Sequence, residues 1–239
     1  MALTSAQIVK LACQIAKTSG MTSQAGEFLN SILSDLCQTY DLDVAKAVYQ
    51  FNFQPGLGGG VVGGPYPLPA AYLRAKFQDF FYTISGYPYF LVAIDLAEFD
   101  QTPKAAGLQS FPNMYATDMS QSPPQLWVYP APSGAYAATL RYYQQMPDIA
   151  TPETSSTVPW FPNQDYLITK LAGQMMKIAG DDRAEAYLGT NPSKTGAQDI
   201  LDRYLMLKDD SSNRADTVKL DPRRFGNGNR VLPTKSQPF

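Results

Sequence analysis

Residues 126–143 read LWVYPAPSGAYAATLRYY. Two runs rich in aromatic and β-branched residues, 126–129 and 135–143, flank Pro130-Ala131-Pro132-Ser133-Gly134. That arrangement predicts a β-hairpin closed by a Pro/Gly loop. Pro130 and Pro132 cannot donate an N–H, so both are expected just outside the ladder. The same alphabet recurs upstream. Tyr49, Phe51 and Phe53 alternate with Gln50, Asn52 and Gln54, the period of a strand. Residues 72–99 form a second β-like region, in which Gly86-Tyr87-Pro88 marks a turn. Phe90–Leu96 begins β-rich, and residues 114–117 suit a short strand. Between these lies GLGGGVVGGP, residues 56–65, with six glycines in ten. It lacks the Gly-Lys-Ser/Thr ending of a phosphate loop and reads as a surface loop, or as one that orders against a neighbouring subunit.

Outside this region the period becomes helical. Ile8, Leu11, Ala12 and Ile15 recur at helical spacing, predicting a helix over 5–18 with Thr4 or Ser5 as its cap and Gly20 at its end. Phe28, Leu29, Ile32, Leu33, Leu36 and Tyr40 give a second helix over 23–39, with Ser23 as cap. The short link makes the two an antiparallel hairpin. Residues 147–162 are a Pro/Thr-rich linker. Asn163 then caps a third helix running to about Ala179, with Asp165 in its first turn. A fourth starts at Asp181 or Asp182, breaks at Asn191-Pro192, and resumes through Ile200, Leu201, Tyr204 and Leu205. The expected fold is α+β, mainly an α-helical bundle made of the N-terminal helical hairpin and the C-terminal helix pair (1–46 and 160–208). An antiparallel β-rich insertion (47–159) and an extended C-terminal tail (209–239) complete it.

The tail differs in composition. Six basic residues against four acidic ones give it a net +2, which leaves −4 on residues 1–208 of a chain whose net charge is −2. Gly226-Asn227-Gly228-Asn229 and three prolines oppose a helix, while Val218, Leu220, Phe225, Val231, Leu232 and Phe239 are spaced apolar anchors. Anchors interleaved with arginine suit a segment that lies extended on another protein.

Composition removes several kinds of chemistry. There is no histidine, which excludes Ser-His-Asp and Cys-His catalysis and the commonest metal ligand. Cys13 and Cys37 are too few for a Cys-only zinc site and fall on apolar helix faces, so they are expected as unpaired core residues. Net charge −2 disfavours a duplex-DNA binder that works through phosphates. No apolar run nears the roughly 20 residues of a membrane span, and Met1–Gly20 lacks the form of a signal peptide. The reading is a soluble protein made in a reducing cytoplasm, with no cofactor and no metal. Only 17% of residues are charged and 12% are aromatic. Such a surface is expected to be covered by other copies of the chain.

Carboxylates are the one abundant catalytic group. Asp95, Glu98 and Asp100 cluster without a known ligand spacing and read as a solvated edge. Asp181, Asp182 and Glu185 sit where a helix begins and read as caps. Ser193-Lys194 does not supply a Ser-x-x-Lys pattern. Tyr82, Tyr87, Tyr89, Tyr142 and Tyr143 are a candidate stacking platform for single-stranded nucleic acid, but only Arg74, Lys76 and Arg141 lie near them in sequence. Core or subunit packing is the favoured reading. A carboxylate-only glycosidase needs two acids about 5–9.5 Å apart in a cleft, and the spacing nominates none.

Several stretches together resemble the head-to-tail adaptor proteins of tailed bacteriophages, also called neck, connector or tail-tubular proteins. They are Leu126–Pro132, Tyr136–Tyr143, Met146–Ile149 and Pro159–Ile168, with Leu68–Arg74 and Gly86–Ile94 upstream. The resemblance spans about residues 5–225 and carries no catalytic residue. It implies a virion protein assembled in the host cytoplasm. It implies a ring, usually of twelve copies, docked under the portal protein, with the β region facing a downstream tail or nozzle protein and genomic DNA passing through without specific binding. It also implies that the C-terminal segment is a portal-binding arm, with Arg214, Val218, Leu220, Arg223, Arg224 and Phe225 as contacts. The acidic body agrees with a channel through which DNA slides, since like charge opposes phosphate binding.

Overall fold

The computed structural model describes residues 2–59, 61–104, 109–190 and 195–208. The chain divides into two compact units: Met1–Lys10 with Gly20–Pro162, and Leu11–Ser19 with Asn163–Phe239. In chain order the elements are α1 (Ser5–Ala16), α2 (Thr22–Thr39), a 3-10 turn (Asp43–Ala45), β1 (Lys46–Asn52), β2 (Gly63–Pro67), β3 (Tyr72–Ile84), β4 (Tyr87–Phe90) and β5 (Val92–Ala93). They continue with α3 (Leu96–Gln101), β6 (Gln109–Ser110), β7 (Met114–Asp118), β8 (Gln125–Tyr129), β9 (Ala131–Pro132), β10 (Ala137–Gln144), α4 (Gln164–Ile178), α5 (Ala184–Leu188) and α6 (Ala197–Lys208).

The first unit is built on two four-stranded sheets. One has the order β1-β10-β3-β4 and is antiparallel throughout. The other has the order β2-β8-β7-β5 and is antiparallel except for the parallel β5–β7 pair. A small parallel pair, β6–β9, completes the strands. Their core draws on both sheets: Phe80, Tyr82 and Leu140 from the first meet Tyr66, Tyr115, Leu126 and Val128 from the second. Its aromatic rings touch repeatedly, as in the edge-to-face pair Phe80–Tyr115 at 4.9 Å. Such pairs add to the burial term because ring edges are positive and faces negative. Phe99, Ala116 and Tyr129 form a second, smaller cluster where α3 meets β7.

The helical signals are local and mostly hold. Thr4 and Gln7 close a capping box, with the Gln7 N–H donating to Thr4 Oγ1 at 3.3 Å and the Thr4 N–H to Gln7 Oε1 at 2.9 Å. Asn163 Oδ1 accepts the Tyr166 N–H at 3.0 Å and starts α4. In the second unit α4 packs on α5 and α6, burying Leu171, Met175 and Leu201, with Ala12, Cys13 and Ala16 also buried there. Two capping expectations fail. Met21 precedes α2 without a side-chain bond, so Ser23 lies inside the helix. Lys17, not Gly20, takes the left-handed conformation after α1.

Three larger expectations are overturned. The fold is α+β, but it is not mainly an α-helical bundle. Helices cover 36% of the described residues, α3 and α5 are six and five residues long, and the two sheets hold a core of their own. Helical periodicity shows which face of a helix is apolar; it does not show how much of the core that face supplies. Residues 126–143 are not a hairpin either. Their two strands exist as β8 and β10, but β8 pairs with β2 and β7 in one sheet and β10 with β1 and β3 in the other. The intervening segment carries β9, so Pro132 sits in the ladder, and the chain crosses from sheet to sheet. Alternation marks a buried face and leaves the pairing partner open. The glycine-rich run is a loop only in its first part. Gly63 and Gly64 are buried in β2, where a Cβ on Gly63 would lie 2.5 Å from Pro132 Cδ and 2.7 Å from Val128 Cγ2.

Candidate interaction surface

β4 is an edge strand of the first sheet. Ser85 and Gly86, both at positive φ, make the two-residue turn that folds it back on β3. Such a turn matches the twist of the strands it joins. The strand reads Tyr87-Pro88-Tyr89-Phe90, and all four residues are exposed. Tyr87 is 72% exposed, Phe90 57% and Tyr89 45%; Val92 (64%) and Phe111 (53%) are open as well. Tyr89 stacks on the buried Tyr82 at 5.6 Å on one side and on Phe111 at 6.4 Å on the other. Phe111 in turn meets Tyr136 at 5.9 Å, and Tyr136 returns to Tyr82 at 5.4 Å. The four rings close a cluster that is rooted in the core and open to solvent. Burial, with smaller contributions from Tyr136 and Tyr89, raises the Tyr82 hydroxyl to about 12, so it stays a neutral donor. On the opposite face Phe90 packs on Phe81 at 5.5 Å, and Arg141 lies over Phe81 at 5.7 Å.

The expected tyrosine platform is thereby divided. Tyr82, Tyr142 and Tyr143 are buried and present no face for a base to stack on. Only Tyr87 and Tyr89 reach solvent. The cations near them are occupied: Arg141 and Lys76 both pair with Asp79, at 3.0 and 2.5 Å. Burial alone would raise the Asp79 carboxyl, but the hydrogen bonds and charges of Lys76 and Arg141 outweigh it and hold it below the usual range. Arg74 caps the C-terminus of α2.

The two carboxylate groups named from the sequence lie at helix starts. Asp95 caps α3 by accepting the Ala97 N–H at 2.8 Å, and Glu98 and Asp100 face solvent beside it. Asp181 accepts the Arg183 N–H at 3.0 Å and pairs with its guanidinium, which holds the carboxyl at about 2. Among the described residues no group of three or more His, Cys, Asp and Glu converges to hold a metal ion. Among them, too, no helix is long and apolar enough to cross a membrane. Cys13 and Cys37 are free and buried, and burial raises both thiols. The thiolate, the reactive form, is correspondingly scarce.

The arm residues Arg214, Val218, Leu220, Arg223, Arg224 and Phe225, like Ser193-Lys194, lie outside the described residues. The sequence singles out Tyr87 and Tyr89, with core or subunit packing as the favoured reading and a stacking platform as the alternative, and it passes over Phe111. A usable signal was present. Proline inside a short aromatic strand marks a sheet edge, because a central strand needs that N–H.

The two-sheet unit thus carries an open aromatic edge. The family described as SU10 adaptor protein matches residues 4–220, and the chain belongs to it. This is a family of bacteriophage head-to-tail adaptors, which gives the chain a structural role in the virion. No curated protein matches the chain.

Proposed function

We propose that this chain forms a ring of about twelve copies that docks beneath the portal, extends the DNA channel and presents a platform to the tail. The observation that carries the reading is the family match over nearly the whole body, residues 4–220. The low charge and the open aromatic edge support it, because a ring subunit covers two flanks. The net −4 of residues 1–208 supports passage of DNA without adhesion. Residues 209–239 are the portal-binding arm, with Arg214, Val218 and Leu220 inside the matched range and Arg223, Arg224 and Phe225 just beyond it. Arginines there would pair with carboxylates and the apolar anchors would fill pockets on the portal.

The test is native mass, for the protein alone and mixed with the portal ring. The expected result is a light species alone and an addition of about twelve copies to the ring. Deleting residues 209–239 should abolish that addition and leave the fold intact by circular dichroism. Full portal binding by the deleted chain would overturn the arm assignment. Failure of the full chain to join the ring would overturn the docking itself.

A further inference from the structure

We propose that the β4 edge of one copy packs against the β1 edge of the next, so that one sheet continues from subunit to subunit. The inference rests on the ring reading and names the contact that builds it. Among the described residues the first sheet has two open edges, because β1 and β4 each pair on one side only. The edges are unlike, which is what a head-to-tail contact requires.

The backbone shows what each edge offers. The Phe53 N–H donates to Tyr136 O, which with the β1–β10 register turns the N–H and C=O of Val48, Gln50 and Asn52 outward. The Leu91 N–H donates to Phe80 O, which with the β3–β4 register turns both groups of Phe90 outward. Pro88 faces outward as well but has only its carbonyl to give. The join therefore has few ladder bonds, and side chains must carry most of it.

Those side chains match face by face. Tyr89, Tyr82, Ala138 and Phe51 are successive partners across the sheet, so one row runs from edge to edge on the core face. At the β1 end Tyr49 and Phe51 are only half covered and stack on each other at 5.2 Å. A neighbour's Tyr87 and Tyr89 would extend that row and cover it. On the other face Phe90 belongs to the row of Phe81, Thr139 and Gln50, next to Val48, which is 58% exposed. Apolar meets apolar on the core face; on the other, Val48 is the apolar side chain that β1 offers beside Lys46, Gln50 and Asn52.

The β4 side supplies a large part of the area such a contact needs. Tyr87, Tyr89, Phe90, Val92 and Phe111 together leave about 500 Å² of apolar surface open, taking ~200 Å² for a free aromatic side chain. It is more than half of the ~800 Å² each partner gives to a standard interface. With no charge on β4 itself, no ion has to be desolvated to cover it.

Cross-linking between single-cysteine edges tests the contact. Val48→Cys and Phe90→Cys are made separately in the full chain and mixed, and disulfides are formed by mild oxidation. The reaction is run on the free protein at high concentration and on the portal-bound assembly. The mixture should give covalent dimer at least tenfold above either variant alone, and the doubly substituted chain should give a ladder. Tyr87→Asp in the same background should lower the yield about tenfold with an unchanged circular dichroism spectrum. Equal dimer from either variant alone would mean that like edges meet, and would overturn the proposal. Capture of Val48→Cys by a cysteine at Val218 would mean that the chain's own arm covers β1, and would overturn it too. Absence of cross-links in both samples would do the same. If many copies join the portal ring without cross-linking, only the edge contact falls; if cross-links form without portal binding, only the docking falls.

Discussion

Arg74 ties the end of α2 to β3, and replacing it should loosen both. The last turn of α2 has no basic residue of its own. Arg74 supplies one from the sheet. Its guanidinium donates to the carbonyls of Cys37 at 3.2 Å, Gln38 at 3.0 Å and Tyr40 at 2.9 Å. It also binds Asp41 Oδ1 twice, at 2.9 and 2.6 Å, and lies 5.2 Å from the Tyr143 ring centre. These are the orphan carbonyls of a helix end. The side chain is 32% exposed and Asp41 63%, so the ion pair itself is worth well under 1 kcal/mol. The positive charge at the helix terminus adds about 0.3–1 kcal/mol. The ring contact adds about 0.5–1 kcal/mol. With the carbonyl bonds, Arg74→Ala should cost about 2–3 kcal/mol. At about 2–4 °C per kcal/mol for a chain of this size, Tm should fall by about 5–10 °C. Arg74→Lys keeps the charge but not the planar fork and should cost about half as much. Thermal melts and urea midpoints read both. A drop below about 1 °C for Arg74→Ala, or a lysine variant as stable as the parent, would refute the clamp.

Two further results are expected. Gly63→Ala should destabilise by about 1–3 kcal/mol, because its methyl would press on Pro132 and Val128, while Gly20→Ala, with nothing within 4 Å, should be neutral in the same melt; equal effects would mean that β2 does not approach β8 and Pro132 so closely. Asp79 is held below its ordinary carboxyl value of 3.8, and Asp181 at about 2, so the stability they add is present above about pH 4 and lost as pH falls through the folded values. Asp79→Asn should therefore flatten the fall in urea midpoint as pH drops below about 4, and an unchanged slope would show that the pairs with Lys76 and Arg141 add nothing.

Much of the local structure was legible in the residues. Helix starts at Thr4 and Asn163, the buried unpaired cysteines and the strand alternation of residues 49–53 follow from short-range chemistry: caps, periodicity, β-branched and aromatic runs. So was the family, through motifs spread over most of the chain. The open edge was half legible. Tyr87 and Tyr89 stood out by composition, while Phe111 joined them only in space.

The sequence by itself determined most element types, though not the helix Leu96–Gln101 inside a run that reads as β-like or the strand within the glycine-rich run, and it showed the lack of histidine and the spaced apolar residues beyond 208. It could not decide partners. A strand's alternation is satisfied by any neighbour that buries the same face, so Leu126–Tyr129 and Ala137–Tyr143, adjacent in sequence, were free to join different sheets. Nor could periodicity weigh helix against sheet, since the share each holds of the core depends on which long-range contacts form. Those contacts placed Phe80, Tyr82 and Tyr115 at the centre and left Tyr87, Tyr89 and Phe90 at an edge. The residue types are alike, and only the tertiary pairing of β3 with β10 on one side and β4 on the other separates a core tyrosine from an interface one.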